Sequence, residues 1–205
     1  MILVSPALRR KTPSIIIWLF LPIGLGASVL QFPDSSGKVV AQKPDYIIRL
    51  IETPSSSIKT AEAMFLIKGS PFEIYKAVTD FENYPHFMPH ICKSELVEKN
   101  DTSSVYRFAF RLALWTIRYT NKFESGQSDN GDYFIRWGYV AGDLKKTTGE
   151  WNIGLFKQKD GYSLVRYKVY VDAGKFLPLW VIEKLTAKSI PAMITAIGRR
   201  VAEEN

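Results

Sequence analysis

Cysteine and histidine are nearly missing from this chain of 205 residues: there is one cysteine, Cys92, and two histidines, His86 and His90. A single thiol excludes an intramolecular disulfide and any cysteine-rich zinc site. The histidines have the spacing at which helical imidazoles share a metal, but Pro85 and Pro89 oppose a regular helix there. No Gly-x-Ser-x-Gly occurs, so there is no nucleophile elbow. The sequence therefore yields no catalytic residue, no metal ligand and no cofactor.

A strong charge bias is missing too. The formal net charge is +7, of which Arg9, Arg10, Lys11 and Lys38 against Asp34 supply +3 before residue 43, leaving +4 for the rest. That balance is too mild to imply nucleic acid. What is present is 46% hydrophobic residues with 13% aromatics, the composition of a globular domain rich in rings.

The N-terminus has the layout of an address. Arg9, Arg10 and Lys11 precede an apolar run from Ser14 to Leu30, and polar residues follow. The run is short for a ~30 Å hydrocarbon core, and Pro22, Gly24 and Gly26 weaken a permanent helix. Residues 1–30 thus read as a secretory signal, or as an anchor if uncleaved, with small residues permitting cleavage after Ser28 or after Ala41. The expectation is a periplasmic or secreted protein, or one tethered to a membrane. Pro33, Ser35, Ser36, Gly37 and Pro44 mark residues 31–45 as a linker, and residues 46–205 as the domain.

Periodicity organises that domain. Tyr46–Glu52 and Met64–Lys68 read as strands, the latter extendable back to Ser57. Ser70-Pro71-Phe72-Glu73 is a helix start, with a capping serine, proline in the first turn and an acid at the positive end. Beyond Ile91, two-residue alternation is cut by turns at 100–101, 129–131, 141–143 and 159–161, which gives a meander of about six antiparallel strands. One face carries Tyr106, Phe108, Phe110 and Leu112, then Trp115, Ile117 and Tyr119, then Tyr133, Ile135, Trp137 and Tyr139, then Trp151, Ile153 and Leu155, then Val165, Tyr167, Val169 and Val171. The other carries Arg107, Arg111, Arg118, Lys122, Arg136, Glu150, Arg166 and Lys168, so one face should be dry and the other wet.

Ile190, Met193, Ile194, Ile197 and Val201 recur at helical spacing, so a C-terminal helix running to about Ala202, kinked at Pro191, should cover the dry face. Tyrosines on that face require partners, a wet pocket or a ligand, because an unsatisfied buried hydroxyl costs ~1–3 kcal/mol.

The segment Val78-Thr79-Asp80-Phe81-Glu82-Asn83-Tyr84-Pro85-His86-Phe87-Met88-Pro89-His90 resembles the helix-to-loop motif of the coenzyme Q-binding and polyketide cyclase branch of the START-like (SRPBCC) superfamily. Gly149-Glu150-Trp151 and Val171-Asp172-Ala173-Gly174 leading to Leu177-Pro178-Leu179-Trp180 are similar to that branch and to lipid-transfer START domains. The resemblance covers about Ala63 to Val201 and implies an α+β helix-grip fold, a curved antiparallel sheet wrapped around a long C-terminal helix.

It also implies a cavity between sheet and helix for a lipid, quinone or other hydrophobic small molecule, with no covalent step. Superfamily members also include aromatase/cyclases, and an interaction module without ligand is a third reading. The cavity should be lined by Phe108, Phe110, Trp115, Tyr119, Trp137, Tyr139, Trp151 and Tyr167. Tyr84, Phe87, Met88, Phe176, Leu179 and Trp180 should form its gate, with a peripheral membrane contact and no nucleic acid as partner. The export signal sets this chain apart from the quinone-binding members and favours a lipid-like ligand outside the cytoplasm.

Overall fold

The computed structural model describes residues 30–112, 115–174 and 179–204, with the backbone alone over 179–185. The basic triplet and all of the apolar run except Leu30 lie outside the described residues. Among the described residues nine strands form one antiparallel sheet: β1 (Lys38–Lys43), β2 (Tyr46–Thr53), β3 (Ser56–Lys68), β4 (Ile91–Lys99), β5 (Ser104–Leu112), β6 (Trp115–Gln127), β7 (Tyr133–Gly142), β8 (Lys146–Leu155) and β9 (Tyr162–Asp172). Their order is β1-β2-β3-β9-β8-β7-β6-β5-β4, so β9 closes onto β3 and the meander occupies the other half.

Between β3 and β4 the chain leaves the sheet through α1 (Pro71–Thr79), a 3-10 turn (Phe81–Asn83) and α2 (Tyr84–Phe87). Ser70 starts α1 as its sequence requires. Its hydroxyl accepts from the Glu73 amide at 3.3 Å, and its own amide donates to the Glu73 carboxylate at 2.7 Å, so two orphan donors are satisfied reciprocally.

The last element, α3 (Leu179–Glu203), lies in the concave face of the sheet and runs unbroken through Pro191. Ile190, Ile194, Ile197 and Val201 are buried in the same core as Phe65, Ile74, Val78, Ile135 and Ile153. The helical spacing of the C-terminal apolar residues and the two-residue spacing of the strands thus meet in one core. This is the expected grip of sheet on helix.

Two expectations need correction. Residues 31–45 are not a free linker: Lys38–Lys43 pairs with β2, and the segment before it folds back onto the sheet. Gly37 turns the chain between them at φ +81°, where a Cβ would stand 2.6 Å from the Leu50 carbonyl oxygen, so only glycine fits. Nor is the outer face wet throughout. Leu30, only 2% exposed, and Phe32 cover Ile47, Met64, Leu66 and Phe156 on the outer side of β2, β3 and β9.

Arg49 pins this strap. Its guanidinium donates to the Asp34 carboxylate at 2.8 and 3.1 Å, to Glu62 Oε2 at 2.9 and 2.7 Å and to the Ser36 carbonyl at 2.9 Å. The same group stands 3.9 Å from the centre of the Phe32 ring. Arg49 is only 5% exposed, on a face where polarity alone would place it in water.

Candidate functional site

Between the concave sheet face and α3 lies a cavity of about 300 Å³. That is near the small end of the range usual for small-molecule pockets. Strand alternation supplies most of the wall: β5 presents Phe108 and Phe110, β6 Ile117, Tyr119, Asn121 and Phe123, β7 Trp137, β8 Thr147 and Trp151, and β9 Tyr167, Val169 and Val171. Phe81, Tyr84, Met88 and Pro89 close one side, and Thr186, Ser189, Ile190 and Met193 of α3 close another.

The rings form a connected band. Phe108 and Tyr119 have centroids 5.5 Å apart, Phe123 and Trp137 6.2 Å, Trp137 and Tyr167 6.0 Å, and Trp151 and Tyr167 4.4 Å. Aromatic pairs at these separations attract one another beyond the area they bury, so the rings support each other as a continuous apolar wall. The Trp137 indole is fixed further by donating from Nε1 to the Thr147 hydroxyl at 3.3 Å.

Six of the eight residues anticipated for the cavity line it: Phe108, Phe110, Tyr119, Trp137, Trp151 and Tyr167. Trp115 does not. It opens β6 opposite Leu112 and is 62% exposed, although it shares the strand phase of Ile117 and Tyr119. Tyr139 does not line the cavity either. Its hydroxyl turns away to donate to the Gly142 carbonyl at 2.8 Å, and its ring packs with Leu144 and Ala173.

Of the gate residues, Tyr84 and Met88 line the cavity. Phe87 sits behind them, edge-on to Tyr84 at 5.5 Å and beneath the Arg200 guanidinium at 5.7 Å. Phe176 is outside the described residues, as are the side chains of Leu179 and Trp180. His86 and His90 are exposed, and the His90 ring lies 5.3 Å from Phe110.

Sequence reasoning missed Phe81, Phe123, Thr147 and Asn121. Phe123 and Asn121 continue the Ile117, Tyr119 phase, and the polar amide at 121 is what hid that continuation. Asn121 is 3% exposed, and its Oδ1 has no hydrogen-bond partner among the described residues.

Electrostatically the cavity is quiet. Lys59 is the one charged side chain in its wall among the described residues, and it pairs with Glu52 at 3.7 Å. Burial pushes the phenols of Tyr84, Tyr119 and Tyr167 up, and the last two are close enough that a charge on Tyr119 would oppose one on Tyr167. The Tyr84 hydroxyl donates to the Val78 carbonyl. At neutral pH these groups are uncharged, able to offer and receive hydrogen bonds but not to act as bases.

The sequence matches the family described as polyketide cyclase/dehydrase and lipid transport over residues 67–197. No curated protein sequence matches the chain. Among solved structures, it superposes on human StAR-related lipid transfer protein 5 with a TM-score of 0.72 at 10% identity, covering 84% of this chain and 89% of that one. A STAR-related lipid transfer protein from Xanthomonas axonopodis gives 0.70 at 13% identity, covering 82% and 99%. The Zhui aromatase/cyclase of a Streptomyces species gives 0.58 at 14% identity, covering 71% and 94%. At these identities the likeness is one of fold, the START-like helix grip.

Proposed function

The chain belongs to the polyketide cyclase/dehydrase and lipid transport family, and from that premise we propose that it binds and carries a hydrophobic small molecule, lipid- or quinone-like, with no covalent step. The observation that carries this reading is the cavity itself, an aromatic wall with no carboxylate or imidazole among its described residues to serve as a base, and with the phenols of Tyr119 and Tyr167 held neutral by burial. A cyclase-type reaction needs such a base.

Entry and exit run past Met88, which is 9% exposed and lies on the cavity wall beside Pro89. The exposed indole of Trp115, with Arg111 and Arg118 exposed on the same hairpin, suits contact with an anionic membrane surface during exchange. Uptake of a fluorescent lipid from anionic vesicles tests both. The wild type should take it up, and Met88→Asp should cut uptake at least tenfold, beyond what its own thermal unfolding explains, since a charge there obstructs dry transfer. A wild type that takes up nothing overturns the carrier reading. Unchanged uptake by folded Met88→Asp overturns the gate.

The carrier works outside the cytoplasm or on a tether, a reading supported by the basic triplet and apolar run of residues 1–30. A full-length fusion to a reporter active only after export should be active. An inactive but well-expressed fusion would place the protein in the cytoplasm.

A further inference from the structure

We propose that Asn121 is the docking point for a hydroxyl on the ligand, so that the cavity selects a neutral alcohol or phenol on an apolar frame over a bare hydrocarbon or a carboxylate. This rests on the carrier reading above and names the ligand class that it leaves open.

A buried side-chain amide almost always finds partners, because desolvating it without them is costly. Asn121 lines the cavity, is 3% exposed, and its Oδ1 has no partner among the described residues. Packing does not explain an amide here, since leucine fills nearly the same volume without that cost. The backbone is also irregular at this point. The β6–β7 register jumps between Thr120 and Asn121, passing over Val140 on the facing strand, and such bulges re-aim side chains beside sites.

A hydroxyl is the complement of an amide because it donates and accepts at once. The surrounding phenols of Tyr119 and Tyr167, held neutral by burial, offer the same kind of bond. A carboxylate fits poorly. Among the described residues only Lys59, already paired with Glu52, would offset its desolvation, while the phenols can meet it only as neutral donors.

The test is calorimetric titration of the full domain with naphthalene, 2-naphthol and 2-naphthoate. The wild type should bind 2-naphthol about tenfold more tightly than naphthalene, and 2-naphthoate most weakly. Asn121→Leu should bring 2-naphthol down to the affinity of naphthalene and leave naphthalene unchanged or slightly tighter. Asn121→Thr, which replaces the amide by a hydroxyl on a strand-favouring side chain, should retain part of the preference and serves if the leucine variant does not fold. Equal wild-type binding of 2-naphthol and naphthalene, tightest binding of 2-naphthoate, or a preference that survives Asn121→Leu would overturn this assignment while leaving the carrier reading intact. If none of the three binds the folded wild type, the carrier reading fails and this one with it.

Discussion

Arg49→Ala should lower the free energy of unfolding by about 3 kcal/mol, a large share of the margin of a domain this size. The guanidinium is the shared partner of Asp34, Glu62 and the Ser36 carbonyl, and it caps the Phe32 ring at 3.9 Å. Without it Glu62, whose side chain is only 17% exposed, keeps Lys168 at 3.4 Å as its remaining cation. The strap also loses its pin, and Ile47, Met64 and Leu66 lose the cover of Leu30 and Phe32. Arg49→Lys should fall between the two, because one ammonium cannot fork between two carboxylates.

The same contacts set an acid limit. The Arg49 guanidinium holds the Asp34 carboxyl well below the usual carboxylate range. Its folded pKa is thus lower than its unfolded one, so the stabilisation is complete above about pH 4 and is lost as pH falls further toward the folded value. Denaturant unfolding of wild type and variant, with proteolysis near residues 34–36, measures this. An unshifted midpoint would show that the strap rests on the sheet without supporting it. Removal of an N-terminal signal would bear on the strap too. Cleavage after Ser28 leaves the strap on the chain, whereas cleavage after Ala41 removes it and cuts β1, so a protein starting at residue 42 should be at least as unstable as Arg49→Ala.

The sequence carried the meander well because one physical rule governs it: β5 to β9 each turn one face to α3, so apolar residues fall at every second position. Ser70, Pro71 and Glu73 are equally local, since a helix N-terminus is satisfied within four residues. What stayed hidden depends on distant parts. Pro33, Ser35, Ser36 and Gly37 have the composition of a linker, and their docking is decided by Arg49, which lies on another strand and pairs with Glu62 on a third. Trp115 keeps the inward phase of its strand, but phase alone does not say whether that end of the sheet is covered. Asn121 broke the apolar stripe and so ended it in the reading, although the strand continues inward to Phe123. A polar residue inside an otherwise apolar stripe carried the most chemical information and was the easiest to discard.

Phe81→Ala should cost about 3–5 kcal/mol, the range for removing a buried aromatic ring. Phe81 stands where the chain turns from α1 toward α2, and it touches four other rings: its centroid is 4.3 Å from Phe123, 4.9 Å from Tyr106, 5.3 Å from Tyr84 and 6.4 Å from Phe108. Two of these rings lie on β5 and one on β6, so Phe81 helps to hold the α1–α2 connection against the sheet. It is also part of the cavity wall, so the space it vacates opens into an existing cavity, and neighbours cannot relax inward to fill it without narrowing the ligand site. That distinguishes this variant from an ordinary core truncation. Apolar ligand should partly refill the gap, so saturating naphthalene should raise the melting temperature of Phe81→Ala by more than it raises that of the wild type. A loss below about 1 kcal/mol would mean that the connection is anchored elsewhere, since a surface aromatic costs no more than that. Equal ligand-induced shifts in the two proteins would mean that the ring borders the core and not the ligand.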